Sequence, residues 1–275
     1  MLIANSAKSY YQEKMKIQFH KYQGTGNDFI IIDNYHTEPI ALTTAQIKKL
    51  CDRHFGIGAD GLMLLNKKDG YDFEMKYYNA DGNESSMCGN GGRCIVKFAH
   101  QIGIHKAKYH FAASDGEHAA EIDVDGTVSL QMADVNKVEY HNNHAIINTG
   151  SPHFVKFAQD VENIDVVDSG RGIRYSSQFE KEGINVNFVE NLSEDKIFVR
   201  TYERGVEDET LSCGTGVTAA ALLSAHNENG FNTVNVKTAG GNLSVEFNKE
   251  GDEHFNDIWL CGPAVFVFKG EAEIN

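Results

Sequence analysis

The sequence predicts an α+β fold of two similar halves, each a curved, barrel-like, mainly antiparallel or mixed sheet around one central helix, with a cleft between them. Three observations predict it. The first is an internal duplication. Cys88-Gly89-Asn90-Gly91 returns as Cys213-Gly214-Thr215-Gly216, and Thr25-Gly26 returns as Thr149-Gly150. Gly26 to Cys88 is 62 positions (88 − 26) and Gly150 to Cys213 is 63 (213 − 150), so the landmarks recur in order at nearly one interval. Aligned on the cysteines, Tyr77 falls on Tyr202, Glu84 on Glu209 and Ser85 on Thr210. The second observation is that strand-like runs far outnumber helical ones, with most links too short for parallel crossovers. The third is the run from Val217 to Ala225, apolar almost all round. Such a helix must be buried on nearly every side, as a sheet wrapped about it would do.

Taken in order, residues 1–14 are polar and patternless and read as a disordered extension ahead of Met15. Residues 17–20 and 29–33 read as strands around the glycine-rich turn 24–28. Thr43 and Gln46 have capping-box spacing for a helix through Cys51. Residues 56–61 match Gly-x-Gly-x-x-Gly, but an apolar strand (62–65) follows where a dinucleotide site would open a helix, so that reading is rejected. A strand at 73–78 leads to Cys88. Ile95, Val96, Phe98, Ala99 and Ile102 then recur at helical spacing, with Gly103 as the stop. Strands follow at 109–113, 119–124 and 127–132, the last two joined by Asp125-Gly126. Residues 134–143 read as a crossover. The second half shows strands at 145–148, 153–157, 185–189 and 196–202, the helix after Cys213, and strands at 234–237, 243–247, 258–261 and 264–269. The first half is thus 1–133, with 263–275 a candidate to return to it, and the second is 134–262.

Composition narrows the function. The chain has 275 residues, 41% hydrophobic, with net charge −14 from 25 basic and 39 acidic side chains. That balance argues against a nucleic-acid partner or an anionic membrane surface. No run resembles a signal peptide or a membrane span, and five cysteines without framework spacing suit a reducing, cytoplasmic setting. No Cys/His cluster has zinc spacing, and no flavin or pyridoxal signature is evident, so neither metal nor cofactor is expected. A homodimer is the oligomer considered.

Each Cys-Gly-x-Gly stands where strand and turn give way to helix. Its sulfur therefore lies at a helix N-terminus, where free N–H groups and the dipole favour negative charge. A thiol there ionises more readily than usual, and the same amides can hold a carboxylate that glycine lets approach. One such cysteine is more often a small buried residue. Two in register across a duplication are not, whereas Cys51, Cys94 and Cys261 lack the glycines and read as core residues. Facing thiols beside anion-holding amides suit inversion of a carbon α to a carboxylate. One thiolate takes the proton from one face and the opposite thiol delivers one to the other.

These residues resemble the diaminopimelate epimerase family, cofactor-independent enzymes of lysine and peptidoglycan precursor synthesis. The matching blocks are GTGNDFIIID (24–33), RHFGIGADGL (53–62), YNADGNESSMCGNGGRC (78–94), TGSPHFV (149–155), YERGVEDETLSCGTG (202–216) and AGGNLSVEF (239–247). The resemblance implies two pseudo-symmetric domains that interconvert LL- and meso-diaminopimelate. It implies Cys88 and Cys213 as the acid/base pair. Gly89, Asn90, Gly214 and Thr215 would form the amide cradle. Asn27, Asn79, Asn185, Glu203 and Arg204 would hold the substrate's two ends, and His153 with Glu203 would support the cysteines. Two positions depart from the family pattern: Gly61 stands where many relatives carry Gln, and Ser151 where many carry Asn.

Other readings keep discriminators. A proline-racemase-like enzyme would share the cysteine pair, but its substrate's single carboxylate would not require Asn79, Asn185 and Arg204. A phenazine-type isomerase does not rely on two such cysteines. A non-catalytic amino-acid-binding protein would bring no solvent deuterium to the α-carbon, and a thiol-redox protein would exchange disulfides.

Overall fold

In the computed structural model, which describes residues 15–274, each half follows one blueprint. The expectation for residues 1–14 lies outside the described residues. The first half runs β1 (Met15–Gly24), β2 (Asn27–Asn34), α1 (Thr44–Cys51), β3 (Gly61–Asn66), β4 (Phe73–Asn79) and the short β5 (Glu84–Ser85). Then come α2 (Gly89–Gln101), β6 (Lys108–Ala113), β7 (Gly116–Ile122) and β8 (Val128–Gln131). After β9 (Val138–Tyr140) the plan repeats as β10 (Ala145–Asn148), β11 (Pro152–Phe157), α3 (Val166–Arg174), β12 (Asn185–Ser193), β13 (Lys196–Glu203) and β14 (Asp208–Thr210). It finishes with α4 (Gly214–Leu223), β15 (Gly230–Thr238), β16 (Gly241–Lys249), β17 (Phe255–Gly262) and β18 (Val265–Ile274).

Sheet pairing follows the same repeat. Among the described residues the parallel pairs are β2 with β3 and β4 with β6, then β11 with β12 and β13 with β15; the rest are antiparallel. Each parallel pair is bridged by one of the α-helices, as parallel strands require. The sheet is mixed, as predicted, but it is not a closed barrel. The edge that would close the first half, β8, pairs instead with its counterpart β17, and this seam joins the halves. At the far edges β18 returns to lie on β1, and β9 lies on β10.

Burial explains the helices. The α2 side chains Ile95, Val96, Phe98 and Ala99 and the α4 side chains Val217 and Ala219–Leu222 belong to one core that also takes in both sides of the β8–β17 seam. The outer faces are covered separately, by α1 in the first half and α3 in the second. The Thr43–Gln46 capping box starts α1. Helix α3 lies between strands where the sequence reading named no helix. Its VVDSGRGIR carries β-branched residues and two glycines, all poor helix formers. Asp165 caps it, and Gly170 is needed because a Cβ there would sit 2.4 Å from the Tyr202 side chain. Strand β9 likewise lies inside the stretch read as a crossover.

The strand pairs correct one alignment. Phe29 pairs with Gly61, which pairs with Asn79; His153 pairs with Asn185. The offset between halves is 124 here (153 − 29 and 185 − 61). Tyr78 pairs with Glu84 and Tyr202 with Glu209, so Tyr78, not Tyr77, is the counterpart of Tyr202. The hairpin turn in the second half is one residue longer, which moves the offset to 125 at the cysteines. A one-residue slip turns a side chain to the other face. Tyr77 accordingly lies in the central core and Tyr202 in the outer one.

Candidate active site

Cys88 and Cys213 are the residues that open α2 and α4, both in extended backbone conformation. The two helices meet start to start. A Cβ on Gly214 would lie 3.4 Å from the Gly89 Cα, and a Cβ on Gly89 would lie 3.2 Å from Leu260 of β17. A Cβ at either position would crowd the Leu260 side chain that wedges between the helix starts. Neither helix has an acidic residue in its first turn. Two positive helix ends thus converge without a resident anion, an arrangement that favours a carboxylate or thiolate.

In the first half, Asn27 at the start of β2 accepts from the Cys88 thiol at 3.6 Å and from Asn90 Nδ2 at 3.4 Å. Its own amide donates to Asp60 at 2.6 Å, so the carbonyl end is the one turned to Cys88. Asp60 is in turn gripped by Arg53, which also forks onto Asp28, and Asp28 pairs with buried Lys21. Burial pushes Asp28 up, but the bonds from Arg53 and Lys21 outweigh it and bring it to about 2. Asp60, from the rejected Gly-x-Gly-x-x-Gly stretch, thus braces Asn27 together with Arg53 and Asp28. Asn90 reaches across the halves, donating to the Ser212 carbonyl at 2.9 Å.

In the second half, Thr149 donates to the Thr215 carbonyl at 2.8 Å, and Thr215 Oγ1 lies 3.5 Å from the Cys213 sulfur. Buried Asn187 donates to His153 Nδ1 at 3.0 Å and accepts from Thr201 at 2.9 Å. His153 is wholly buried, and burial, reinforced by the Arg204 charge, takes it down to about 3, so the ring is neutral. With Nδ1 accepting, its proton is on Nε2, which has no partner among the described residues. Asn185 donates to Ser151 at 2.9 Å and to the Pro152 carbonyl, and accepts from the Arg204 amide; the Arg204 guanidinium also donates to Ser151 at 3.3 Å. Ser151 therefore joins the Asn185–Arg204 group directly.

Burial pushes the Cys213 thiol up, with Glu203 adding to the rise and Thr215 and the Gly216 amide opposing it. The Cys88 thiol is also raised by burial; the amides of Gly91 and Asn90 and the charge of Arg93 pull it back. Cys88 itself contributes to the rise at Cys213, which puts the two thiols within electrostatic reach. Burial raises the Glu203 carboxyl, with the nearby Thr210 side chain opposing the rise. The other thiols are pushed by burial to about 12 at Cys51 and Cys94 and about 11 at Cys261.

Cys88, Gly89, Asn90, Asn27, Cys213, Gly214, Thr215 and Glu203 therefore gather at the meeting of the helix ends, with His153 behind Asn187. Asn185 and Arg204 form their own group at the ends of β12 and β13. Asn79 is exposed, paired through its backbone with Gly61. Space for a side chain at Gly61 is already taken: a Cβ would lie 2.5 Å from the Tyr77 ring and 2.6 Å from the Tyr78 carbonyl. Residues that sequence reasoning did not single out for the site are Arg93, Asp60 and Asn187. The available signal was a cation one helical turn inside an otherwise apolar, buried stretch.

The family model described as diaminopimelate epimerase matches residues 19–138 and 145–267. A diaminopimelate epimerase of Flavobacterium psychrophilum is 52% identical over 254 residues, covering 92% of this chain and 99% of its own length. Among solved structures, a phenazine biosynthesis protein of the PhzF family from Bacillus anthracis superposes with TM-score 0.75 at 14% identity, covering 94% of this chain and all of its own. A hydroxyproline epimerase from Agrobacterium vitis gives TM-score 0.68 at 11% identity, covering 94% and 93%. At those identities the structures establish the shared two-domain fold. The family is established by the sequence match over nearly the whole described chain: this protein belongs to the diaminopimelate epimerase family of isomerases.

Proposed function

We infer that the protein interconverts LL- and meso-diaminopimelate, with Cys88 and Cys213 as its acid/base pair, in the cytoplasmic supply of lysine and peptidoglycan precursors. The observation that carries this reading is the start-to-start meeting of two cysteine-capped helices at Gly89 and Gly214. The thiolate of one cysteine takes the α-proton, leaving an electron pair delocalised into the carboxylate. The thiol of the other delivers a proton to the opposite face, and the cysteines end with their protonation exchanged. The helix-end backbone amides bind the carboxylate as its charge grows, and Asn27 turns its carbonyl end toward the substrate's ammonium. Arg204, Asn185 and Asn79 take the distal carboxylate and ammonium, with Arg204 as the fork. Glu203 answers an ammonium or orients a neighbour. His153, neutral and turned to Asn187, supports the Cys213 side rather than moving a proton.

The Asn185–Ser151–Arg204 group favours a substrate with two carboxylates over the single carboxylate of a proline-like one. Rate should rise with pH as the base ionises and fall as the acid is lost, the falling limb lying well alkaline because burial raises Cys213 so far. The deciding experiment is NMR of LL-diaminopimelate with the protein in D₂O. Deuterium at the α-carbon with appearance of the meso form is expected. No exchange from either isomer, with the protein folded and reduced, would overturn the reading.

A further inference from the structure

Behind the two cysteines the halves match strand for strand and differ in chemistry. In the second half His153, Asn187 and Thr201 lie side by side on β11, β12 and β13, linked by hydrogen bonds of 3.0 and 2.9 Å. At the offset of 124, the same three places in the first half hold Phe29, Met63 and Tyr77 (153 − 29, 187 − 63, 201 − 77). Strand pairing agrees: Tyr77 pairs with Met63 and Ser85, and Thr201 with Asn187 and Thr210. Phe29 and Met63 carry no hydrogen-bond donor, so the phenol of Tyr77 is the one strong polar group of its trio.

The ring points toward the site end of the sheet. Tyr77 itself is paired with Met63 in the central core. Its far end lies over Gly61, two residues nearer the start of β3: a Cβ on Gly61 would be 2.5 Å from Cε2 and 3.0 Å from the hydroxyl oxygen. Phe29 packs edge-on against the ring, with centroids 6.0 Å apart. Gly61 pairs with Asn79, and its neighbour Asp60 holds the Asn27 amide at 2.6 Å. The hydroxyl thus reaches from the core to the strand ends that carry Asn27 and Asn79. Gly61, which departs from the family pattern, leaves the room for it. Only 8% of Tyr77 is exposed, and its hydroxyl has no hydrogen-bond partner among the described residues. A buried hydroxyl left unpaired costs free energy, so its partner comes from outside the chain. Cys88, Asp60 and Glu203 act on this hydroxyl, and together with burial they keep it protonated. Its surroundings are therefore rich in acceptors, which suits a ligand group that only donates. An ammonium is such a group, with three N–H donors and no acceptor.

We propose that the Tyr77 hydroxyl is a substrate-binding group of the Cys88 half, its oxygen accepting a hydrogen bond from the α-ammonium beside the Asn27 carbonyl and the Glu203 carboxyl. Three acceptors then meet the three N–H bonds of that ammonium. This fixes rotation at the reacting carbon and keeps its hydrogen in line with the cysteines. The second half has no equivalent, because Thr201 donates its hydroxyl to Asn187. The inference rests on the acid/base reading above and deepens it by one residue.

The test is Tyr77→Phe, which keeps the ring and its contact with Phe29 and removes only the oxygen. KM for diaminopimelate should rise about 10-fold or more, the loss of one hydrogen bond to a charged group. The thermal midpoint should stay near the wild-type value, and kcat should change less than KM. Inhibition by pimelate, the same dicarboxylate chain without amino groups, should be unchanged by the substitution. An unmoved KM in the folded variant overturns the proposal. So does a loss of pimelate inhibition by the same factor, which would assign the hydroxyl to a carboxylate. A lowered thermal midpoint with an unmoved KM would make Tyr77 a packing residue only. A wild type without turnover or deuterium exchange would sink the underlying activity as well, whereas turnover with an unmoved KM in Tyr77→Phe sinks this inference alone.

Discussion

The two halves share their apolar plan and differ in almost every polar group that touches the site. Where the first half has Phe29, Gly61 and Asn79 across three adjoining strands, the second has His153, Asn185 and, by the same offset, Glu203. Arg93 corresponds to Thr218 (218 − 93 = 125). Lys76, paired with Leu64, corresponds to Arg200, paired with Phe188. Duplication therefore preserved the helix ends, which the proposed proton transfers need in matched form. It did not preserve what surrounds them. A reaction that exchanges the faces of one carbon calls for symmetry at the thiols. A substrate with a second, distant charged end calls for its loss elsewhere.

Three experiments would break or sharpen this comparison. The largest effect is expected at the cysteines. Cys88→Ala and Cys213→Ala should each lower turnover about 10³-fold or more in both directions, about 4 kcal/mol, while substrate binding survives better. Turnover and affinity are to be measured in each direction. If one variant retains near wild-type rate, the halves are not equal partners and the two-thiol mechanism fails.

The second effect separates two glycines that occupy the same place in the motif. A Cβ on Gly216 would lie 2.4 Å from Asn187 Oδ1, and Asn187 is held on all sides by His153, Thr201 and the Phe154 carbonyl. A Cβ on Gly91 would meet Met63 and Met75 at 3.4 Å, an ordinary contact with flexible side chains. Gly216→Ala should destabilise by about 1–3 kcal/mol, whereas Gly91→Ala should stay within about 1 kcal/mol, since alanine also favours the helix. Thermal unfolding of both variants checks this; equal losses would mean that the two motifs are packed alike.

The smallest effect concerns the outer faces. Arg200 forks onto Glu209 at 2.7 Å through Nε and Nη2, and its Nη1 caps the carbonyls of Val161, Glu162 and Ile164. Arg200→Lys should cost about 1–2 kcal/mol, because a point charge cannot make that set of bonds. Lys76→Gln should change stability by less than about 0.5 kcal/mol. A denaturant series with similar midpoints for both would remove the distinction.

Much of this was legible in the residues. Apolar periodicity marks α2 and α4, and the glycines after Cys88 and Cys213 mark their starts, because both signals are local. Helix α3 was not legible: its helix depends on packing Gly170 against Tyr202, a contact absent from any local pattern. The true partner of Tyr202 was hidden for a related reason. Alignment on the cysteines carries the offset of 125 back through a turn that is one residue longer, and only strand pairing reveals the slip. At the site, motif matching reached the cysteines and their cradle but passed over Arg93. A cation in a helix reads as surface until its burial is known. The mixed sheet expected around each helix is present, and it stays open because β8 spends its free edge on β17.

Strand β18 has a consequence for how the chain is made. The edge of β1, from Met15 onward, is completed by residues that reach Ile274, so the first and last described residues are hydrogen-bonded neighbours. A growing chain emerges with its N-terminal end first. The first half can therefore collapse around α2 early, but β1 must wait, edge exposed, until β18 has left the ribosome. The β8–β17 seam waits almost as long. Both long-range closures therefore form late, and a chain stopped short of β18 leaves β1 with an unpaired, adhesive edge.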